Sequence, residues 1–147
     1  MRLDPAELGP NLYAYREPTA DARFPLALIS PATDRTVNSV LGELKKDEAE
    51  LQLHPDDARA RRIATGDGVR VFNSLGEVRC RALLSERIRP GVVSLPKGAW
   101  RRSFRSGTSA TALVADDLSE IGGGACFNDA RVEVQALDVP VRSPGAA

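Results

Sequence analysis

The sequence predicts a mainly β protein, a small closed barrel of short strands with one main helix. Three observations predict it. Apolar and polar residues alternate with period two in several separate segments, which is the side-chain period of a half-buried strand. One segment, His54-Pro55-Asp56-Asp57, carries a clear helix-start signal. Turn residues punctuate the chain at short intervals, leaving room for strands but little for long helices. Short strands remove their unpaired edges most completely by closing on themselves.

The elements follow in order. Residues 1–23 hold Pro5, Pro10 and Pro18 and read as an extended arm that leans on something else. Phe24 to Ser30 is mostly apolar and is ended by Ser30-Pro31, which suits a buried strand running into a loop. Ala49, Leu51 and Leu53 alternate with Glu50 and Gln52 as a half-buried strand. The helix begins at Pro55, where a missing N–H costs nothing, and Asp56 and Asp57 meet the positive end of its dipole. It is expected to run to about Ile63 and to stop before Thr65-Gly66-Asp67-Gly68. Val69 to Phe72, a turn at Asn73-Ser74-Leu75-Gly76, and Val78 to Ala82 form a hairpin pattern. Val78, Cys80 and Ala82 share one face and arginines the other. Arg89-Pro90-Gly91 is a turn, and Val92, Val93 and Leu95 lead as a short strand into Pro96-Lys97-Gly98. The last strand is Ala130 to Ala136. The expected organisation is an arm over 1–23, a single barrel domain over 24–137 and a flexible tail over 138–147.

A chain of 147 residues is long enough for one domain with a real core. Lys plus Arg and Asp plus Glu are both 20, so no global charge draws in nucleic acid or an anionic membrane. The basic residues cluster nevertheless, at Arg59, Arg61 and Arg62 and at Lys97, Arg101, Arg102 and Arg105. The N-terminus is charged throughout and has the pattern of neither a signal peptide nor a membrane span. Cys80 and Cys126 are far apart and read as free thiols, which points to a cytoplasmic location.

Several chemistries lack a framework. One histidine, His54, and no close cysteine pair argue against zinc, and His54 before a proline suits a capping role. No G-x-G-x-x-G or P-loop is present, and Gly122-Gly123-Gly124 lacks the strand-to-helix context of either. Asp56-Asp57 and Asp116-Asp117 are adjacent pairs, and neighbours in sequence do not face one point as acid–base partners would.

Three loops remain that suit a large polar ligand. Ser30-Pro31-Ala32-Thr33-Asp34-Arg35-Thr36-Val37-Asn38-Ser39 is dense in donors; arginine forks onto phosphate, and Ser, Thr and Asn reach amides or hydroxyls. A plain surface loop has the same composition. Lys97-Gly98-Ala99-Trp100-Arg101-Arg102 sets cations beside a glycine that permits close backbone approach, or is a solvated basic turn with Trp100 plugging the core. Gly107 to Leu113 is a small-residue segment, either a backbone to lie along a flat ligand or a flexible loop.

Taken together, FPLALISPATDRTVNS, HPDDARARRIATGDGVRVFNSLGEV, RIRPGVVSLPKGAW and TALVADDLSEIGGGACFNDARVEV resemble, in order, the C-terminal molybdopterin-dinucleotide-binding domain of the dimethyl sulfoxide reductase family. That family includes formate dehydrogenases, nitrate reductases and biotin sulfoxide reductase. The resemblance implies a double-psi β-barrel. It also implies a role in gripping part of a molybdenum or tungsten bis-pterin guanine dinucleotide, with metal ligand and redox chemistry on other domains of a parent oxidoreductase. The isolated chain would then be catalytically incomplete. The cofactor contacts it implies are Ser30, Pro31, Ala32, Thr33, Asp34, Arg35, Asn38, Ser39, Lys97, Gly98, Trp100, Thr108, Thr111 and Asn128. The chain departs from the family at Thr111, where Asn is common; threonine keeps a hydroxyl but lacks the paired donor and acceptor of an amide. The implied partners are the remaining catalytic domains, with no nucleic acid and no membrane. Two other readings stay open: a stand-alone barrel that binds a protein or peptide, and nucleic-acid binding through Lys97 to Arg105 with Trp100 and Phe104.

Overall fold

The computed structural model describes residues 21–33, 39–40, 48–116, 123–124 and 128–137. Most of the expected arm and all of the expected tail lie outside the described residues, as do Asp34, Arg35, Asn38 and Cys126.

Among the described residues, six strands close into a barrel. They are β1 (Leu26–Ile29), β2 (Glu50–Leu53), β3 (Gly68–Phe72), β4 (Glu77–Leu84), β5 (Val92–Ser94) and β6 (Ala130–Ala136). Around the barrel the order is β1-β5-β2-β4-β3-β6. Two pairs are parallel, β1 with β5 and β2 with β4, and the rest are antiparallel. This is the mainly β, double-psi type of closed barrel that was expected. Period two is visible in the burial: in β4 Val78, Cys80 and Ala82 are buried while Arg79 and Arg81 are exposed. Leu28, Leu51, Leu53, Val69, Val71, Val93 and Val132 fill the interior with no exposed surface. Burial is also what pushes the Cys80 thiol up to about 12, since a thiolate there would lose its water; the Glu48 carboxylate adds to the effect.

The one α-helix among the described residues, α1 (Pro55–Ala60), is shorter than expected. Its start is as the sequence implies: His54 is the N-cap, and its Nδ1 accepts from the Asp56 N–H at 3.2 Å. Its end is earlier than Ile63. Arg62 adopts a left-handed conformation, φ 55°, which turns Ile63 back into the core, and the Ile63 N–H closes onto the Ala58 carbonyl at 2.9 Å. Burying Ile63 therefore wins over another helical turn, although the left-handed residue is not glycine. Two side chains tie α1 to the barrel. Asp57 accepts from the Gly91 N–H at 2.8 Å, and Arg61 forms a two-pronged ion pair with Glu133 on β6. The remaining helical pieces are 3-10 turns at Arg101–Ser103 and Ala110–Leu113. Among the described residues no helix is long and apolar enough to cross a membrane.

Candidate functional site

Parallel pairing of β1 and β5, with Ile29 opposite Ser94, sends both chains out of the barrel at one end. The exit loops then zip together: the Leu95 N–H donates to the Ile29 carbonyl at 3.0 Å and the Lys97 N–H to the Pro31 carbonyl at 2.9 Å. Loops 66 residues apart in sequence, after Ile29 and after Leu95, thus become neighbours. They form one side of a cavity of about 330 Å³, and residues 109–114 form the other.

Of the residues expected at a ligand, Ser30, Ser39, Lys97, Gly98, Trp100 and Thr111 line this cavity. Trp100 is no core plug: it is 37% exposed and lines the cavity. The indole Nε1–H donates to the Ser39 carbonyl at 2.7 Å, and the Arg102 guanidinium lies 4.6 Å from a ring centroid. Both contacts hold the ring in place. Gly98 has φ 77°, a left-handed backbone that glycine adopts without strain. The Ser30 N–H is held by Asn128 Oδ1 at 3.0 Å. Its Oγ is buried and has no hydrogen-bond partner among the described residues.

Pro31, Ala32 and Thr33 sit on the exit loop next to the lining, with Pro31 and Ala32 exposed. Thr108 is turned elsewhere: its hydroxyl donates to the Glu77 carbonyl at 2.8 Å and pairs with the Ser106 hydroxyl at 2.6 Å, pinning its loop to β4. Asp34, Arg35 and Asn38 lie outside the described residues. Ala99, Arg101, Ser109 and Ala110 also line the cavity and fall within loops singled out in the sequence, though none was named there as a contact; Pro96 and Val114 lie outside those loops. No local signal marks Val114, because the contacts that bring the wall into place come from the β3–β4 hairpin, some 40 residues earlier.

Electrostatics outside the cavity is largely structural. Glu48 pairs with Arg105 and, at 3.5 Å, with Arg81. Arg59 pairs with Asp56 at 2.9 Å, and Arg70 and Arg79 flank Glu77 at 2.6 and 2.9 Å. The hydrogen bond from Arg70 chiefly, with Arg79 behind it, holds the Glu77 carboxyl below its ordinary range. Much of the basic clustering is thereby matched within the fold. Among the described residues no three His, Cys, Asp or Glu side chains come together as a metal site. Among the described residues the cavity lining combines an aromatic ring, small residues, hydroxyls and cations, with no acid, histidine or cysteine.

A closed barrel with such a cavity at the mouth of two parallel strands has the makeup of a ligand-binding domain. The comparisons give the class. Residues 26–131 match the family described as "Molydopterin dinucleotide binding domain", and the chain belongs to that family. It is 36% identical over 103 residues to dimethyl sulfoxide reductase DmsA of Escherichia coli, covering 67% of this chain and 12% of that protein. It is 31% identical over 105 residues to trimethylamine-N-oxide reductase of Haemophilus influenzae, covering 67% of this chain and 13% of that one. The fold matches that of acetylene hydratase from Pelobacter acetylenicus with a TM-score of 0.72 and 17% identity, over 88% of this chain and 22% of that chain. The chain thus spans only about an eighth of the length of these two curated relatives.

The protein is a binding domain for a molybdopterin dinucleotide, the guanine form in this family. The residues at the cavity fit such a group. A buried hydroxyl with no partner among the described residues, a fixed aromatic ring and a left-handed glycine all line it. The volume of about 330 Å³ suits one ring system rather than a whole dinucleotide.

Proposed function

We propose that this cavity takes one part of molybdopterin guanine dinucleotide and closes it against the other domains of a larger molybdenum or tungsten oxidoreductase. The observation that carries the reading is the buried Ser30 hydroxyl, unpartnered among the described residues, in the same cavity as the fixed Trp100 ring, in a chain of this family. Ser30 would hydrogen-bond a polar ring edge, with its backbone oriented by Asn128. Trp100 would offer its face, and Lys97 and Arg101 would set positive charge at the rim. The exit-loop residues Pro31, Ala32 and Thr33, with Asp34, Arg35 and Asn38, remain proposed contacts on the strength of the sequence. When bound, the cofactor supplies two-electron chemistry at its metal; this chain binds, orients and excludes water.

The parent's substrate is proposed to be an S- or N-oxide, since two of the relatives are named as reductases of dimethyl sulfoxide and trimethylamine N-oxide. The metal ligand and the remaining cofactor contacts are assigned to the other domains. A cytoplasmic location, without membrane or nucleic-acid partners, belongs to the same proposal and rests on composition and charge. The test is to delete residues 24–137 from the parent and measure released pterin by its fluorescence after oxidation. Loss of pterin supports the role, and full retention overturns it.

A further inference from the structure

We propose that Asn73, which does not line the cavity, is a positioning residue that holds the cavity's far wall in place. The inference rests on the cavity described above and adds how its shape is maintained. Asn73 sits at the start of the β3–β4 turn and satisfies its whole amide. Its Oδ1 accepts from the Leu75 and Gly76 N–H groups at 2.9 and 3.3 Å, closing the turn. Its Nδ2 donates to the Leu113 carbonyl at 2.7 Å and to the Arg131 carbonyl at 3.1 Å. One side chain therefore joins the hairpin, the 3-10 turn Ala110–Leu113 and strand β6.

Two further contacts act on the same wall. A Cβ at Gly76 would lie 2.8 Å from the Ala112 carbonyl oxygen, so the turn approaches the wall as closely as backbone permits, and only glycine fits. At the other end of the wall, Thr108 donates to the Glu77 carbonyl. Residues 109–114 thus take their position from the hairpin behind them rather than from their own short 3-10 turn, which is weakly held by itself. A ligand in the cavity meets Ser109, Ala110, Thr111 and Val114 where Asn73 puts them.

The test separates the wall from the ligand. Asn73→Asp keeps the acceptor that closes the turn but removes both donors and faces a carboxylate to two carbonyls. Losing two half-buried hydrogen bonds corresponds to an opening equilibrium raised by roughly ten- to a hundredfold. In the full chain, exchange of the Ala112 amide, bonded to Ser109 at 2.9 Å, should speed up by that factor. Acrylamide quenching of Trp100, the single tryptophan, should increase, with the circular dichroism of the barrel unchanged. Gly76→Ala, which pushes on the wall from the same side, should reproduce both effects and serves if the first variant does not fold. Unchanged exchange and quenching in a folded variant overturn the proposal. In the parent enzyme the same substitution should lower pterin content. A released wall with full pterin content would leave Asn73's structural role standing and remove the cavity from the cofactor site.

Discussion

Replacing Ser30 by alanine should move stability and cofactor retention in opposite directions. The Ser30 Oγ is buried, lacks a partner among the described residues and sits at the cavity. A buried polar atom left unpaired costs about 1–3 kcal/mol, so removing it relieves the fold instead of weakening it. The hydroxyl is one small group, and its loss leaves little void, so the chain alone should be unchanged or more stable by up to about 1 kcal/mol. For a domain of this size that is a rise in melting temperature of at most about 4 °C. In the loaded parent the same change strips a ligand atom of its partner. That should weaken retention roughly 5- to 150-fold, the equivalent of about 1–3 kcal/mol. The assay pairs thermal unfolding of the chain, followed by circular dichroism, with pterin fluorescence of the purified parent. A fall of more than about 1 kcal/mol in the chain's stability would show that the hydroxyl has a structural partner. Unchanged pterin content would show that it does not face the cofactor. Either result removes Ser30 as an unpaired group held for the cofactor.

Other outcomes follow from the same structure. The Cys80 thiol is raised to about 12 in the fold, above its ordinary value, so the folded state keeps its proton while the unfolded chain loses it. Stability from this group is complete below the unfolded value and falls with rising pH until about 12, by about 1.4 kcal/mol per pH unit. Urea unfolding at pH 8, 9 and 10 should show a steeper alkaline decline for the native chain than for Cys80→Ala, and equal slopes would contradict the burial argument. Glu133→Gln should cost about 1–3 kcal/mol in urea unfolding by breaking the half-buried pair with Arg61, and a change within experimental error would mean that the pair does not anchor α1. Leu51→Ala, at a fully buried site in the centre of the barrel, should cost about 2–5 kcal/mol, measured the same way. The 147-residue chain, given a chemical electron donor and trimethylamine N-oxide, should show no turnover; measurable turnover would place catalytic groups here.

What the sequence displays well is whatever is local. The alternation in ELQL, EVRCRALL and ARVEVQA marks β2, β4 and β6, because each depends only on neighbours two residues apart. The Pro55-Asp56-Asp57 start of α1 is local too. Its end is not, since Arg62 takes a left-handed conformation only because Ile63 has a core to enter. The same division holds at the site. The polar exit loop, the basic glycine turn and the small-residue segment could be picked out singly. That Ser30 and Trp100 meet depends on β1 pairing in parallel with β5, a long-range choice that no spacing encodes. The role of Asn73 was hidden for the same reason. In the sequence it reads as an ordinary turn residue, and only the fold brings Leu113 and Arg131 to its amide.

The cavity between the exit loops and residues 109–114 is proposed to receive part of the dinucleotide. An experimental structure of the intact parent with its cofactor bound tests it most directly. A ring system of the cofactor should lie inside this cavity, within hydrogen-bond distance of Ser30 and against Trp100. A cofactor gripped wholly by other domains, with Ser30 still unpaired and the cavity filled by a neighbouring side chain, would contradict it.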